Sequence, residues 1–135
     1  MVNFKFNAYT EMLFGKGQIS NLPEVLKGYG KNVLLAYGGG SIKRNGIYNT
    51  IKELLKDFNI VELDGIEPNP RIETVRRGVE LCRENNIDVV LAVGGGSTID
   101  CSKVVAAGVS YEGDTWDLVK EPSKIDKVLP IVTVL

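Results

Sequence analysis

Two segments of this chain repeat the same pattern, and they constrain the fold more than any other feature. Residues 33–42 read VLLAYGGGSI, and residues 89–98 read VVLAVGGGST. Each segment begins with a short, continuously apolar run of the kind that forms a strand buried on both faces. Three glycines and a stretch with helical spacing then follow. A strand that turns sharply into a helix is the repeating unit of parallel α/β sheets.

The rest of the chain continues this alternation of strands and helices. Apolar periodicity and the positions of glycine and proline predict helices over residues 18–26, 45–58, 72–85 and 97–108, strands over 32–37, 60–63, 89–93 and 128–135, an edge strand or hairpin over 4–14, and a loop over 67–70. We therefore expect an α/β fold of the Rossmann-like type, with a mostly parallel sheet and helices on both faces. One domain covering residues 1–135 accommodates all of these elements.

Composition excludes several classes of partner and site. The net charge is −1, which gives no reason to expect a nucleic-acid partner. No apolar run approaches the roughly 18 residues of a membrane span, so no membrane association is expected. Cys82 and Cys101 are the only cysteines, and their spacing matches no metal or redox motif, so buried free thiols and a cytoplasmic location are predicted.

The chain contains no histidine. Histidine is the commonest general base and the commonest ligand for transition metals. A histidine-based catalytic or metal site therefore cannot be built from these residues.

The two glycine turns favour a phosphate-binding site. In a parallel sheet both turns lie at the carboxyl edge of the strands, where open α/β folds bind their ligands. Glycines leave the main chain bare, and the N-terminus of the following helix offers free N–H groups to an anion. The alternative is that the glycines serve turn geometry alone. Neither turn matches the G-x-G-x-x-G fingerprint or the Walker loop.

Ser97 and Asp100 stand three positions apart at the start of a predicted helix, which matches a capping box. Helix capping and contact with a ligand both remain open for Asp100. Lys103 lies three residues further on, at the spacing of an ion pair with Asp100.

The first glycine turn favours NADP(H) over NAD(H). An enzyme that selects NAD often places a carboxylate beside the ribose 2′-hydroxyl. Here Gly38 ends the strand, and Ser41, Lys43 and Arg44 follow, which suits a 2′-phosphate. The alternative is that both cations belong to a solvated helix start.

Four motifs now identify a family. The segments FGKG (residues 14–17), YGGGSIKRNG (37–46), EPNP (67–70) and AVGGGSTIDCSK (92–103) resemble the iron-containing, group III alcohol dehydrogenases. More narrowly, they are similar to the NADPH-dependent butanol dehydrogenases of clostridia and to related aldehyde reductases. The resemblance covers the chain from about residue 4 to its last residue.

The resemblance implies a function and a set of contacts. The family passes a hydride between a nicotinamide and a short-chain alcohol or aldehyde, with iron or another divalent metal polarising the substrate oxygen. By resemblance, Gly94, Gly95, Gly96 and Ser97 cradle the pyrophosphate, Gly38, Gly39 and Ser41 surround the adenosine ribose, Asn69 and Pro70 line the cleft, and Asp100 lies beside the cofactor. Members that prefer NAD usually carry Asp where this chain has Gly38.

In this family the metal ligands, one Asp and three His, belong to an all-helical domain that follows the nucleotide-binding domain. The chain stops before that domain, so we expect a truncated dinucleotide-binding portion without catalytic residues or activity of its own. Homo-oligomerisation is also expected. The alternatives are a nucleotide- or phosphosugar-binding module without redox chemistry, and a flavodoxin-like domain whose glycines only form turns.

Overall fold

A computed structural model describes residue 3 and residues 9–135 of the chain. After a 3₁₀ turn at Gln18–Asn21, strands and helices alternate. The elements in chain order are α1 (Leu22–Lys27), β1 (Asn32–Tyr37), α2 (Ser41–Arg44), α3 (Ile47–Leu54), β2 (Asn59–Leu63), α4 (Ile72–Glu84), β3 (Val89–Val93), α5 (Gly96–Gly108), α6 (Trp116–Lys120) and β4 (Ile131–Val134).

The four strands form one parallel sheet in the order β2-β1-β3-β4. Strands β1 and β3 lie side by side at its centre, with Val33 opposite Val89 and Tyr37 opposite Val93. Residues 33–36 of β1 and all of β3 are aliphatic and buried because both faces of these strands are covered. The parallel α/β fold expected from the alternating pattern is confirmed.

Each face of the sheet has its own hydrophobic core. Successive residues of a strand point to opposite faces, so Leu34 and Ala36 of β1 pack with α4 and α5. Leu35 and Tyr37 of the same strand pack on the other face with α1, α2 and α3. The helix that follows β1 and the helix that follows β3 therefore cover opposite faces.

The predicted helix over residues 45–58 is wrong in its bounds. The structure has α3 over Ile47–Leu54, which begins after Gly46 and ends four residues before the predicted end. Gly46 has φ of 82°, a left-handed conformation that L-residues avoid and that glycine enters freely. Helix α2 lies before the predicted span and was not predicted. The helix predicted over 18–26 is split into the 3₁₀ turn and α1.

The ends of the described chain also depart from expectation. Residues 9–14, which are described, form no strand, and the remainder of the edge strand or hairpin predicted over 4–14 lies outside the described residues. Strand β4 begins at Ile131 rather than at residue 128, because the Leu129 N–H donates to the Ala106 carbonyl of α5 instead of to the sheet.

Both cysteines are buried free thiols, as predicted, on the face of the sheet that α4 and α5 cover. Burial raises the pKa of Cys82 to about 12 and that of Cys101 to about 11, so both are protonated thiols at neutral pH. In the part of the chain that the structure describes, no helix combines the length and hydrophobicity needed to cross a membrane.

Candidate cofactor-binding site

The two glycine turns lie next to each other at one edge of the sheet. Gly38 follows β1 and Gly94 follows β3, and the last residues of these parallel strands are paired. The chain leaves β1 toward one face and β3 toward the other, an arrangement that in open α/β sheets leaves a crevice between the two turns. This is the point at which strand order reverses, where open α/β sheets bind ligands.

Side chains at several of these glycine positions would occupy the space along this crevice. A Cβ added at Gly39, Gly95 or Gly96 would meet no protein atom within 4 Å. All three residues are exposed, so another molecule can approach their main-chain atoms directly. Gly95 and Gly96 also open α5, a 13-residue helix whose N–H groups and dipole favour an anion at that end.

Gly38 and Gly94 have different reasons to be glycine. Gly94 has φ of 142°, a conformation that L-residues rarely adopt. Gly38 is restricted by space, because its Cβ would lie 3.1 Å from the Ile66 carbonyl oxygen. The segment after β2 is held there by a 3.0 Å hydrogen bond from the Gly65 N–H to the Gly38 carbonyl.

Ser97 does not cap α5, and this part of the sequence interpretation is wrong. The helix begins at Gly96 with Gly95 as its N-cap, and no side-chain cap is formed. Ser97 thus lies inside the first turn, where its hydroxyl donates to the Pro68 carbonyl. Asp100 is exposed one turn further on, and the residues described contain no ion pair between it and Lys103.

The Ser97–Pro68 hydrogen bond joins the second glycine turn to the predicted loop. The other end of this loop is fixed by the Glu67 carboxylate, which accepts hydrogen bonds from the Thr74 hydroxyl at 2.6 Å and the Arg71 N–H at 3.1 Å. These bonds, the one from Thr74 first, lower the pKa of Glu67 below its ordinary value. Pro68 is consequently held beside the second turn, and the predicted place of Asn69 and Pro70 along the nucleotide cleft stays a prediction.

Sequence reasoning missed Thr98. Its side chain is buried, and its hydroxyl oxygen lies 3.0 Å from the position of a Cβ on Gly94 and 4.0 Å from that of a Cβ on Gly38. The hydroxyl therefore stands between the two turns. A serine or threonine directly after GGGS was the available signal, but only the pairing of β1 with β3 shows what it faces.

A polar cluster beneath the first turn was also missed. The Glu62 carboxylate accepts hydrogen bonds from the hydroxyls of Tyr37, at 2.7 Å, and Tyr48, at 3.0 Å. Lys52 lies 3.7 Å from the same carboxylate. Burial raises the pKa of Glu62, but the two tyrosine hydroxyls, Lys52 and Lys43 outweigh it and leave that pKa below its ordinary value. Burial and the bond to Glu62 raise the pKa of Tyr37.

The described residues do not fit a catalytic metal. The sequence contains no histidine, and within residues 3 and 9–135 no three Cys, Asp or Glu side chains are grouped as metal ligands. We therefore derive no chemical step through a metal from these residues. The crevice, in contrast, fits an extended phosphorylated ligand, because exposed main chain and a helix N-terminus line it.

These features define an open parallel α/β protein with a phosphate-compatible crevice at its topological switch point. Comparison with known proteins narrows the class. The chain belongs to the iron-containing alcohol dehydrogenase family, whose model matches residues 10–135. The family resemblance found in the four sequence motifs is thereby confirmed.

Several relatives can be aligned with this chain over its whole length. It is 61% identical to NADH-dependent butanol dehydrogenase A of Clostridium acetobutylicum and 40% identical to the NADPH-dependent aldehyde reductase YqhD of Escherichia coli. Among solved structures, NADH-dependent butanol dehydrogenase A of Thermotoga maritima matches 98% of this chain and 34% of its own, with a TM-score of 0.90 and 44% identity. The chain spans about a third of the length of these curated relatives, 35% in each case.

Proposed function

We propose that residues 1–135 form the N-terminal dinucleotide-binding domain of an NADP(H)-dependent, metal-dependent alcohol dehydrogenase or aldehyde reductase. The bound nicotinamide would supply or accept the hydride, and a short-chain aldehyde or alcohol would be its partner. The observation that carries this proposal is the pair of bare glycine turns on adjacent parallel strands. A cytoplasmic location and a homo-oligomeric parent protein belong to the same proposal.

Each predicted site residue has a role in this proposal. The open main chain of Gly95 and Gly96 would bind the pyrophosphate, next to Gly94, and the Thr98 hydroxyl would face it from below. Asn69 and Pro70 would line the cleft. Ser97 would hold their loop in place rather than contact phosphate, since its hydroxyl already donates to Pro68. Asp100 is one helical turn from the crevice, exposed and free to lie beside the cofactor.

The preference for NADP(H) rests on the first turn. Gly38, Gly39 and Ser41 provide space and a hydroxyl for the ribose, and the turn contains no carboxylate that would repel a 2′-phosphate. The names of the relatives divide on this point, because both NADH-dependent and NADPH-dependent enzymes occur among them. The charge pattern of this chain is our reason for choosing NADP(H).

Calorimetric titration of the chain with NADPH, NADH and ADP tests the proposal. We expect NADPH to bind about tenfold more tightly than NADH or better, because one charge-assisted phosphate contact contributes about 1.5–3 kcal/mol. The variant Gly95→Ala should weaken NADPH binding at least about tenfold. Its Cβ meets no protein atom within 4 Å, so it would occupy ligand space without disturbing the fold.

Gly28→Ala is the matched control, since Gly28 lies at the end of α1 with an ordinary helical φ of −66°. It should leave binding unchanged. Binding of AMP or phosphate with no preference for a nicotinamide nucleotide would instead indicate a non-redox module. A folded chain that binds none of these nucleotides would refute the site itself.

A further inference from the structure

The two cations after the first glycine turn are placed differently. The Lys43 ammonium lies 4.9 Å from the centre of the Tyr48 ring and 5.7 Å from that of Tyr37. Both rings attract a cation through their faces. The Glu62 carboxylate, bound by both tyrosine hydroxyls, adds a negative charge nearby. Lys43 therefore contacts the two aromatic rings of the polar cluster, while its side chain stays exposed and forms no ion pair within 4 Å among the described residues.

Arg44 lies instead against the turn. Its Nη1 atom is 3.0 Å from the position that a Cβ on Gly40 would take. Gly40 has φ of −84°, which any residue adopts, and the flexible end of the Arg44 side chain would have to move only a few tenths of an ångström to admit a Cβ there. The Arg44 N–H also bonds to the Gly40 carbonyl at 3.0 Å, which fixes the two residues relative to each other.

The positive charge of the Arg44 guanidinium has no acidic partner among residues 9–135. The side chain is exposed, and residues 9–135 provide it with neither an ion pair nor a side-chain hydrogen bond. A guanidinium presents its N–H groups as a planar fork that matches two oxygens of a phosphate. The Arg44 guanidinium lies beside Gly39 and Gly40 at the exposed end of the first turn, where it is suited to bind a phosphate dianion on a ribose.

We propose that Arg44, seated against Gly40, is the residue that selects a ribose 2′-phosphate, and that Lys43 stabilises the Tyr37–Tyr48–Glu62 cluster instead. This assignment rests on the proposed dinucleotide function. It separates two adjacent cations that the sequence alone treats as equivalent.

The test compares two variants that each remove one positive charge, Arg44→Gln and Lys43→Gln. The chain is titrated with 2′,5′-ADP and with 5′-AMP, which differ by the 2′-phosphate. Arg44→Gln should weaken 2′,5′-ADP binding about tenfold to a hundredfold and leave 5′-AMP binding unchanged. Lys43→Gln should keep the wild-type ratio of the two affinities.

The outcomes separate this assignment from the proposed function. If Lys43→Gln loses the preference for 2′,5′-ADP while Arg44→Gln retains it, the assignment to Arg44 is overturned and the NADP(H) proposal stands. If the wild type binds both nucleotides equally, the NADP(H) preference itself fails. Denaturation midpoints close to wild type establish that each variant is folded.

Discussion

At the scale of single residues, the proposed preference for NADP(H) can be tested at Gly38. A side chain at this position meets the Ile66 carbonyl at 3.1 Å, so the segment after β2 must shift by a few tenths of an ångström to admit it. A carboxylate would in addition repel a 2′-phosphate. We expect Gly38→Asp to reduce NADPH binding at least about tenfold relative to Gly38→Asn.

The Asn variant is the control for this prediction because it introduces the same crowding without the charge. Calorimetric affinities for NADPH and NADH measure the effect. Equal affinities of the Asp and Asn variants for NADPH would show that charge at position 38 does not govern the choice of cofactor.

Residue types alone predicted part of this site. The glycines and the Glu67–Pro70 loop were recognisable because few other sequences turn so sharply. The partner of Ser97 was not, because a hydroxyl at a helix start can bond either to its own helix or to a neighbouring loop, and only packing decides between them. The sequence alone could not distinguish Lys43 from Arg44 either, because both are cations after the same turn and only packing separates them.

At the scale of secondary-structure elements, α4 and α5 approach closely at Gly78. A Cβ there would lie 2.7 Å from a methyl of Val105 and 2.8 Å from a methyl of Leu63, and both side chains are fully buried. Overpacking costs about 1–3 kcal/mol, against about 1 kcal/mol gained in helix propensity. The net is about 0–2 kcal/mol, so we expect Gly78→Ala to lower the free energy of unfolding by about 1 kcal/mol, measured by urea denaturation.

Gly28→Ala is the comparison, because the nearest atom to its Cβ is at an ordinary contact distance of 3.6 Å. Its stability should stay within about 0.5 kcal/mol of wild type or rise slightly. A Gly78→Ala protein as stable as Gly28→Ala would mean that the two helices separate without cost.

The length of an element decided how well the sequence predicted it. Strands β1 and β3 were predicted with their observed bounds, because a short apolar run that ends at a glycine turn indicates a buried strand. Helix α6 was missed because the five residues of Trp116–Lys120 are too few to show a helical period. The helix over residues 45–58 was predicted too long because Leu55 and Phe58 keep the apolar spacing and pack in the core after the helix has ended at Leu54.

At the scale of the whole molecule, Glu62 links stability to pH. Its pKa in the folded state is below the ordinary value, which for an acid means that the folded state prefers the charged form. This contribution is present at pH values above the ordinary carboxyl pKa and is lost as pH falls through the folded-state pKa. The stability difference between wild type and Glu62→Gln should therefore be largest near neutral pH and shrink on acidification below about pH 4.5.

Urea denaturation of both proteins between pH 7 and pH 3 measures this difference. Glu53→Gln is the control, because Glu53 and its partner Lys56 are mostly exposed and 3.9 Å apart. An exposed pair of this kind contributes little at any pH. A wild-type minus Glu62→Gln difference that stays constant over this range would contradict the prediction.

The strand order β2-β1-β3-β4 also has a kinetic consequence. The crevice exists only where β1 meets β3, and the hydrogen bond from the Asn32 N–H to the Asp88 carboxylate at the start of this pairing closes a separation of 56 residues. Contacts between such distant parts of a chain carry a large loop-closure entropy and form slowly. The ability to capture a nucleotide should thus arise late during refolding, after β1, β2 and their helices have already collapsed.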